Sequence, residues 1–283
     1  MKKTKIIIPA LAVLLLSTAA SVTGTVAWFS MNNNVTATGM NIKAKAENGI
    51  VISNAAAANG TWADSATAAH NAALEVYPTS TKDGSTWCHS ASNDADDATS
   101  NGTYSMLTLA DDATTGAGYV NNNGVEGYQT TEGTGEYVGK FDEAYYLKNS
   151  FYIKSSAEAM TKAFYINQIS VSGNTNSPEF DKCLRVLIIQ SSTKMVFAPI
   201  TGADTTYSAW TGSQSEAVTV VAPGTKNTVW NASLAIPARS SDPLQFDVYL
   251  YYEGEDENCK STNLTATLST LAVTIQFGTA TIA

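Results

Sequence analysis

The chain is poor in charged residues. Asp, Glu, Lys and Arg make up 14% of its 283 residues, against about 25% in ordinary soluble domains. The formal net charge is −9, so the chain has no basic surface for nucleic acid and would be repelled by anionic membranes. Abundant Ser, Thr, Asn, Gly and Ala, together with 13 Tyr, favour an extracellular β protein whose polar surface consists of hydroxyls and amides.

Residues that usually carry catalysis are also few. The chain has two histidines, His70 and His89, and no Gly-x-Ser-x-Gly motif. Cys88 and His89 are neighbours in sequence, whereas a nucleophile and its base normally meet across the fold. With His70 they do not form a recognised zinc set either. We therefore expect a protein that is not an enzyme and that needs no cofactor.

The densest acidic cluster, in the segment 253–259, raises the question of calcium. Its carboxylates Glu253, Glu255 and Asp256 supply the hard oxygen ligands that Ca²⁺ prefers. A charged, solvated turn between two strands is the favoured interpretation, and a calcium site is the alternative.

Cysteine is scarce as well. Outside the cell, three cysteines allow one disulfide and one remaining thiol. Cys183 and Cys259 both adjoin strand-like segments and are the predicted pair, whereas Cys88 lies in polar sequence. Three unpaired cysteines are the alternative.

Residues 1–27 have the pattern of a signal peptide. Three lysines among the first five residues precede an apolar run, 6–16, and small residues lead to Ala27. Cleavage there predicts Sec-type export and changes the net charge from −9 to −12, because the three lysines are lost. An uncleaved anchor is the alternative, since the uncharged run 6–29 exceeds the roughly 20 residues that a bilayer requires.

The first part of the predicted domain alternates between strand-like and low-complexity sequence. Apolar and polar residues alternate over 40–46, which predicts a half-buried strand. Asn48 and Gly49 form a turn pair, so we predict a hairpin to the apolar run 50–52. Residues 54–139 contain few large aliphatic side chains, and we interpret them as a polar insertion that lies on a core formed by the rest.

The second half is rich in predicted strands. The apolar run 184–189 is typical of a central strand, and the runs 246–252 and 271–277 alternate cleanly. Apolar positions change phase between Ile166 and Ile169, which predicts a bulge.

Only 156–162 has a helical pattern. About ten strands separated by turn residues, without a βαβ rhythm, predict an all-β fold, a β-sandwich or jelly roll. We expect a single domain, 39–283, that includes the insertion 54–139, follows the signal peptide and is preceded by a short segment, 28–38.

The segment after Ala27 resembles the start of the TasA/camelysin family. The resemblance rests on the aromatic pair Trp28-Phe29, the polar spacer 30–34 and the strand pattern of 38–42. Proteins of this family are secreted β-sandwiches of Gram-positive bacteria. The resemblance implies a β-sandwich fold, an extracellular or cell-surface location and self-assembly into filaments or biofilm matrix.

The same resemblance implies how subunits would join. Fibre-forming members of the family polymerise by donor-strand complementation, in which an N-terminal segment completes the sheet of a neighbouring subunit. Here, one face of the segment is mostly apolar with Asn33 as its polar member, and the other face is polar after Trp28. A spacer below a membrane anchor and a strand of the chain's own domain are the alternatives. The predicted interface residues are Trp28, Phe29, Met31, Val35 and Ala37.

We therefore predict a secreted, non-enzymatic structural subunit whose partner is another copy of itself. Contact with a membrane is expected only through the leader before cleavage. The alternative is an adhesin or glycan-binding module, whose contact surface would be the aromatic side chains of the insertion: Trp62, Tyr77, Trp87, Tyr104, Tyr119 and Tyr128.

Overall fold

The structure is a computed structural model. Residues 1–27, the predicted signal peptide, and the segment 28–35 lie outside the described residues. The structure describes residues 36–37, 41–47, 49–56, 61–70, 74–90, 104–107, 109–113, 115–120, 128–130, 137–140, 144–173, 178–210, 215–259, 263 and 271–280.

The described chain is almost entirely β-structure, with a single helical turn, α1 (Pro178–Asp181). The strands, in chain order, are β1 (Thr36–Ala37), β2 (Asn41–Ala46), β3 (Ile50–Ser53), β4 (Ser65–Thr67), β5 (Leu74–Glu75), β6 (Trp87–Ser90), β7 (Tyr104–Leu107), β8 (Leu109–Asp111), β9 (Ala117–Val120), β10 (Tyr128–Thr130), β11 (Tyr137–Lys140), β12 (Ala144–Ser155), β13 (Met160–Ser172), β14 (Leu184–Gln190), β15 (Thr193–Phe197), β16 (Ser208–Trp210), β17 (Ser215–Ala217), β18 (Val220–Val221), β19 (Thr228–Ile236), β20 (Leu244–Tyr252) and β21 (Ala272–Ala280).

Two main sheets form a sandwich, as the all-β prediction expected. The five-stranded sheet has the order β19-β13-β21-β2-β4, and only β2 and β21 run parallel in it. The larger sheet has the order β18-β15-β14-β20-β12-β9-β8. The long strand β12 pairs with β9 near its start and with β3 near its end.

Alternating side chains of the two sheets meet in the core. Phe164 and Phe277 from the smaller sheet pack against Phe246 from the larger one, with ring centroids 5.2 and 5.3 Å from that of Phe246. The predicted alternation of 246–252 and of 271–277 is confirmed, because every second residue lies in the core and is at most 1% exposed: Phe246, Val248, Leu250 and Tyr252 in one run, and Leu271, Val273, Ile275 and Phe277 in the other. The phase change between Ile166 and Ile169 is also confirmed, since the register of β13 against β21 shifts after Ile166.

A third layer covers the outer face of the larger sheet. Trp87, from the predicted insertion, is 3% exposed and lies against Tyr146, Tyr249 and Tyr251, with ring centroids 4.6 to 6.0 Å apart. Segment 54–139 also supplies β4 to the smaller sheet and β8 and β9 to the larger one. The central strand β14 is therefore covered on both faces, since one face meets the core and the other meets this layer.

Two local predictions are wrong. Gly49 does form a turn, with φ of +86°, but β2 and β3 enter different sheets and so do not pair as a hairpin. The segment 156–162 is not helical, because it comprises a turn followed by the start of β13. Both short sequence patterns were compatible with the predicted hairpin and helix, but pairing with distant strands determined the structure that these segments adopt.

Candidate functional site

The predicted donor segment enters the described part of the chain at β1. Thr36 and Ala37 pair antiparallel with Glu75 and Leu74 of β5, in a ribbon that belongs to neither main sheet. The other predicted interface residues, Trp28, Phe29, Met31 and Val35, lie outside the described residues.

The position of β2 shows from which end of the sandwich the N-terminal segment leaves. Asn41, the first residue of β2, aligns with Ala272 of β21, which aligns with Ser172 of β13. Met160 is at the other end of β13, roughly 40 Å away at about 3.3 Å per residue. The N-terminal segment therefore departs from the end of the sandwich that is remote from Met160.

An uncharged strand forms one edge of the smaller sheet. β19 has nine residues, with the sequence TVWNASLAI, and among the described residues it pairs with β13 alone. Val229 on this strand is 50% exposed, and among the described residues it is the only large hydrophobic side chain that is exposed. Trp230 is 4% exposed, and its indole N–H has no hydrogen-bond partner among the residues described.

An open cleft lies at the end of this edge, between the two sheets. It has a volume of about 360 Å³ and lies beside the start of β13, the end of β19 and the start of β20. The only ionisable side chain in its lining is Asp242. The lining residues are Ala159, Met160, Thr161, Ala235, Ile236, Pro237, Asp242 and Leu244.

A second notable cluster is ionic and fully enclosed. Arg185 on β14 and Asp256 in the loop after β20 form an ion pair, and both side chains are 0% exposed. The Arg185 guanidinium also donates to the carbonyl oxygens of Lys182 at 2.8 Å and Asp204 at 2.6 Å. Asp256 accepts a hydrogen bond from the backbone N–H of Asp204 at 3.1 Å. The pair thus joins two loops to the end of the larger sheet.

Glu253 lies beside this ion pair and is also fully buried. Burial raises the pKa of its carboxyl from 4.5 to about 8, although Ser80, the backbone N–H of Glu255 and the charge of Arg185 act in the opposite direction. Burial, reinforced by the charge of Glu253, likewise raises the pKa of Tyr251. At neutral pH, therefore, Glu253 is mostly a neutral acid in the interior.

The calcium prediction for Glu253, Glu255 and Asp256 finds no support in this geometry. Asp256 is bound to Arg185, and Glu253 faces the interior beside Ser80. Within the described ranges, no group of three or more His, Cys, Asp or Glu side chains is arranged to hold a metal ion. The expected solvated turn is also wrong for two of these residues, which are 0% and 1% exposed.

Cys183 and Cys259 lie in contact in the core. Both are fully buried, and their side chains are within hydrogen-bonding reach of each other. Burial, with the neighbouring thiol of Cys259, raises the pKa of Cys183. The structure has them as thiols, like the buried Cys88, so the disulfide stays a prediction about the two residues that the fold brings together.

The aromatic residues of the insertion do not form a common exposed surface in the part that is described. Trp87 is in the interior, and Tyr77 is half-buried against Tyr145, with ring centroids 6.0 Å apart. Trp62 is half-buried beneath the Lys154 ammonium, which lies 4.6 Å from its ring centroid. Tyr119 is half-buried, and Tyr104 and Tyr128 lie on β7 and β10.

Sequence reasoning did not identify the Arg185 cluster or the edge at β19. Arg185 is the single charge in the run LRVLIIQ, and a lone charge in a central strand is a signal that it has a buried partner. Sequence periodicity can indicate that residues 228–236 form a strand, but the place of this strand at an edge depends on which other strands pair with it, and periodicity carries no information about that.

No family model, curated protein or solved structure matches this chain. In the part of the chain that the structure describes, no helix is long and apolar enough to span a membrane.

Proposed function

We propose that the protein is a secreted, non-enzymatic subunit that assembles with copies of itself into extracellular filaments or matrix. The segment 28–37 is the proposed donor: its end, β1, pairs with β5 of its own chain, and residues 28–35 complete a sheet in a neighbouring subunit. The observation that carries the proposal is the position of β1. The end of the donor segment pairs in a ribbon outside both main sheets, so the sandwich places its first strand only at β2.

The buried charges support a structural role over a catalytic one. The guanidinium of Arg185 donates to three backbone carbonyl oxygens and to Asp256, and Glu253 is enclosed beside it. A catalytic acid or base must come within hydrogen-bonding reach of a substrate, which these side chains do not in this closed arrangement. Their connections to the surrounding loops are those of a structural cluster.

Electron microscopy of the secreted protein tests the proposal. The full chain is compared with a variant that lacks 28–37, and circular dichroism verifies that the variant is folded. We expect filaments from the full chain and monomers from the variant, because the variant has no strand to donate. Filaments of the same length and number from both proteins would rule out donation by this segment.

A further inference from the structure

We infer that the acceptor for the donor segment is the β19 edge together with the cleft at its end, and that subunits therefore join head to tail. The inference rests on the proposed function, since it takes the occupant to be the segment 28–37 of a second copy. It adds the surface that receives this segment and the direction in which the assembly grows.

The edge at β19 lacks three of the four features that usually prevent strand addition: shortness, charge and proline. The strands that end the main sheets elsewhere, β4, β8 and β18, have only two or three residues. β19 has nine, with no charged residue and no proline, whereas natural edges are commonly protected by shortness, charge, proline or bulges. β19 does have bulges, because its register against β13 shifts twice: around Ser233, whose N–H donates to Asn231 Oδ1 at 2.8 Å, and again at Trp230. Residues 228–229 and 234–236 are the regularly paired ends of the strand.

The side chains at this edge leave room and hydrogen-bonding capacity for another strand. The cleft of about 360 Å³ has Met160, Ile236 and Leu244 in its lining, which suits large apolar side chains. The buried indole N–H of Trp230 has no acceptor among the described residues, and an unpaired buried donor is unfavourable because it has lost its hydrogen bonds to water. An added strand with one polar residue on its inward face would supply that acceptor.

The segment 28–37 matches these requirements. It has no charged side chain, so its side chains approach the uncharged strand β19 without electrostatic repulsion. Phe29 and Met31 are large enough to occupy the cleft. Asn33, which interrupts the apolar face, is a hydrogen-bond acceptor for the Trp230 indole. A second β19 strand is the alternative occupant of this edge. Its outward side chains are no larger than Val229, so that strand would leave the cleft unfilled.

The two ends of the sandwich determine the direction of assembly. The donor segment departs near Asn41, which is aligned with the Ser172 end of β13. The cleft lies at the Met160 end, roughly 40 Å away. Thr36 is held by its pairing with β5, and the nine residues from Trp28 to Thr36 span at most about 30 Å when fully extended. This is shorter than the distance between the two ends of the sandwich, which favours the cleft of a second copy over the chain's own. A contact between opposite ends is heterologous, and such contacts continue into filaments unless rotation closes a ring.

A matched pair of tryptophan variants of the full chain tests the acceptor. Ala159 and Ala157 are both exposed in the turn before β13, but only Ala159 lines the cleft. We expect Ala159→Trp to fill the cleft and to lower the sedimentable fraction at least tenfold, while Ala157→Trp assembles like the wild type. Thermal melts of both variants establish that the monomer fold is retained.

A cysteine pair identifies the occupant. Under mild oxidation, the Met31→Cys, Ala235→Cys double variant is expected to give a ladder of disulfide-linked oligomers. The control pairs Met31→Cys with Lys45→Cys, since Lys45 is exposed on β2, away from the edge, and we expect no ladder from it. Dimers from Ala235→Cys alone would instead indicate that two β19 strands pair with each other, which would overturn the inference.

The possible failures can be told apart. If deletion of 28–37 abolishes filaments but both tryptophan variants assemble normally, donation stands and the acceptor lies elsewhere. If deletion leaves the filaments intact, the proposed function fails, and this inference fails with it.

Discussion

The buried acid Glu253 makes a quantitative prediction about how stability depends on pH. Its carboxyl is fully buried beside the Arg185–Asp256 pair, and its pKa is raised from 4.5 to about 8, mainly by burial. The Glu253→Gln variant keeps the shape and the acceptor oxygen that receives the Glu255 N–H at 3.1 Å. It cannot ionise, so it mimics the protonated acid at every pH.

The magnitude follows from proton linkage. Between about pH 4.5 and about pH 8, the folded state holds a proton on Glu253 that the unfolded state has released. The stabilisation from this proton is complete below about pH 4.5. It decreases as the pH rises and is lost above about pH 8. At about 1.36 kcal/mol per pKa unit, the full loss is about 5 kcal/mol, a large part of the 5–15 kcal/mol that typically stabilises a domain.

Urea unfolding at a series of pH values measures this effect. From about pH 5 to about pH 9, we expect the wild-type free energy of unfolding to fall by about 4 kcal/mol more than that of Glu253→Gln. Glu158→Gln, at an exposed position in the turn after β12, is the control and should follow the wild type. Burial also raises the pKa of Asp181 to about 6, so a smaller decline should persist at acidic pH in all three proteins. Parallel curves for the wild type and Glu253→Gln would refute the reasoning.

Three further changes test the interior. Arg185→Met leaves Asp256 buried without its partner and should lower the free energy of unfolding, measured with urea, by about 3–5 kcal/mol. Adding Asp256→Leu should restore much of the lost stability, and a single variant as stable as the wild type would contradict the argument. Peptide mapping after refolding in air should find Cys183 linked to Cys259, and a different pairing would contradict this prediction. Because this bond closes a loop of more than 70 residues, its loss in the Cys259→Ser variant should lower the free energy of unfolding of the oxidised protein by about 2–4 kcal/mol. Gly118→Ala places a methyl group against the aromatic ring that covers that strand and should cost about 1–3 kcal/mol; an unchanged melting temperature would show that this layer is loosely packed.

Several elements of the fold could be predicted because their patterns reflect burial directly. Leu184, Val186 and Ile188 lie in the core, and the intervening Leu187 lies under the third layer, so a continuous apolar run correctly indicated a strand covered on both faces. The bulge after Ile166 was visible because one extra residue reverses which side chains face the core.

Other features could not be predicted because they depend on distant partners. Glu253 belongs to an acidic run in sequence, and such runs are usually solvated. Here it continues the alternation of Tyr249 and Tyr251 on the outer face of β20, and the layer that contains Trp87 covers this face. The acidic composition of the segment therefore gave the wrong exposure for Glu253 and Asp256.

The sequence by itself determined the all-β class, the central strand and the alternation that divides each strand into a core face and an outer face. These properties are local, because a strand's side chains alternate with a period of two residues wherever the strand lies. The tertiary structure alone decided which strand is left at an edge, which end of the sandwich bears the cleft and which charges are enclosed. Those properties arise from pairings between residues far apart in the chain, such as Arg185 with Asp256 and Asn41 with Ala272, and no short stretch of sequence contains both partners.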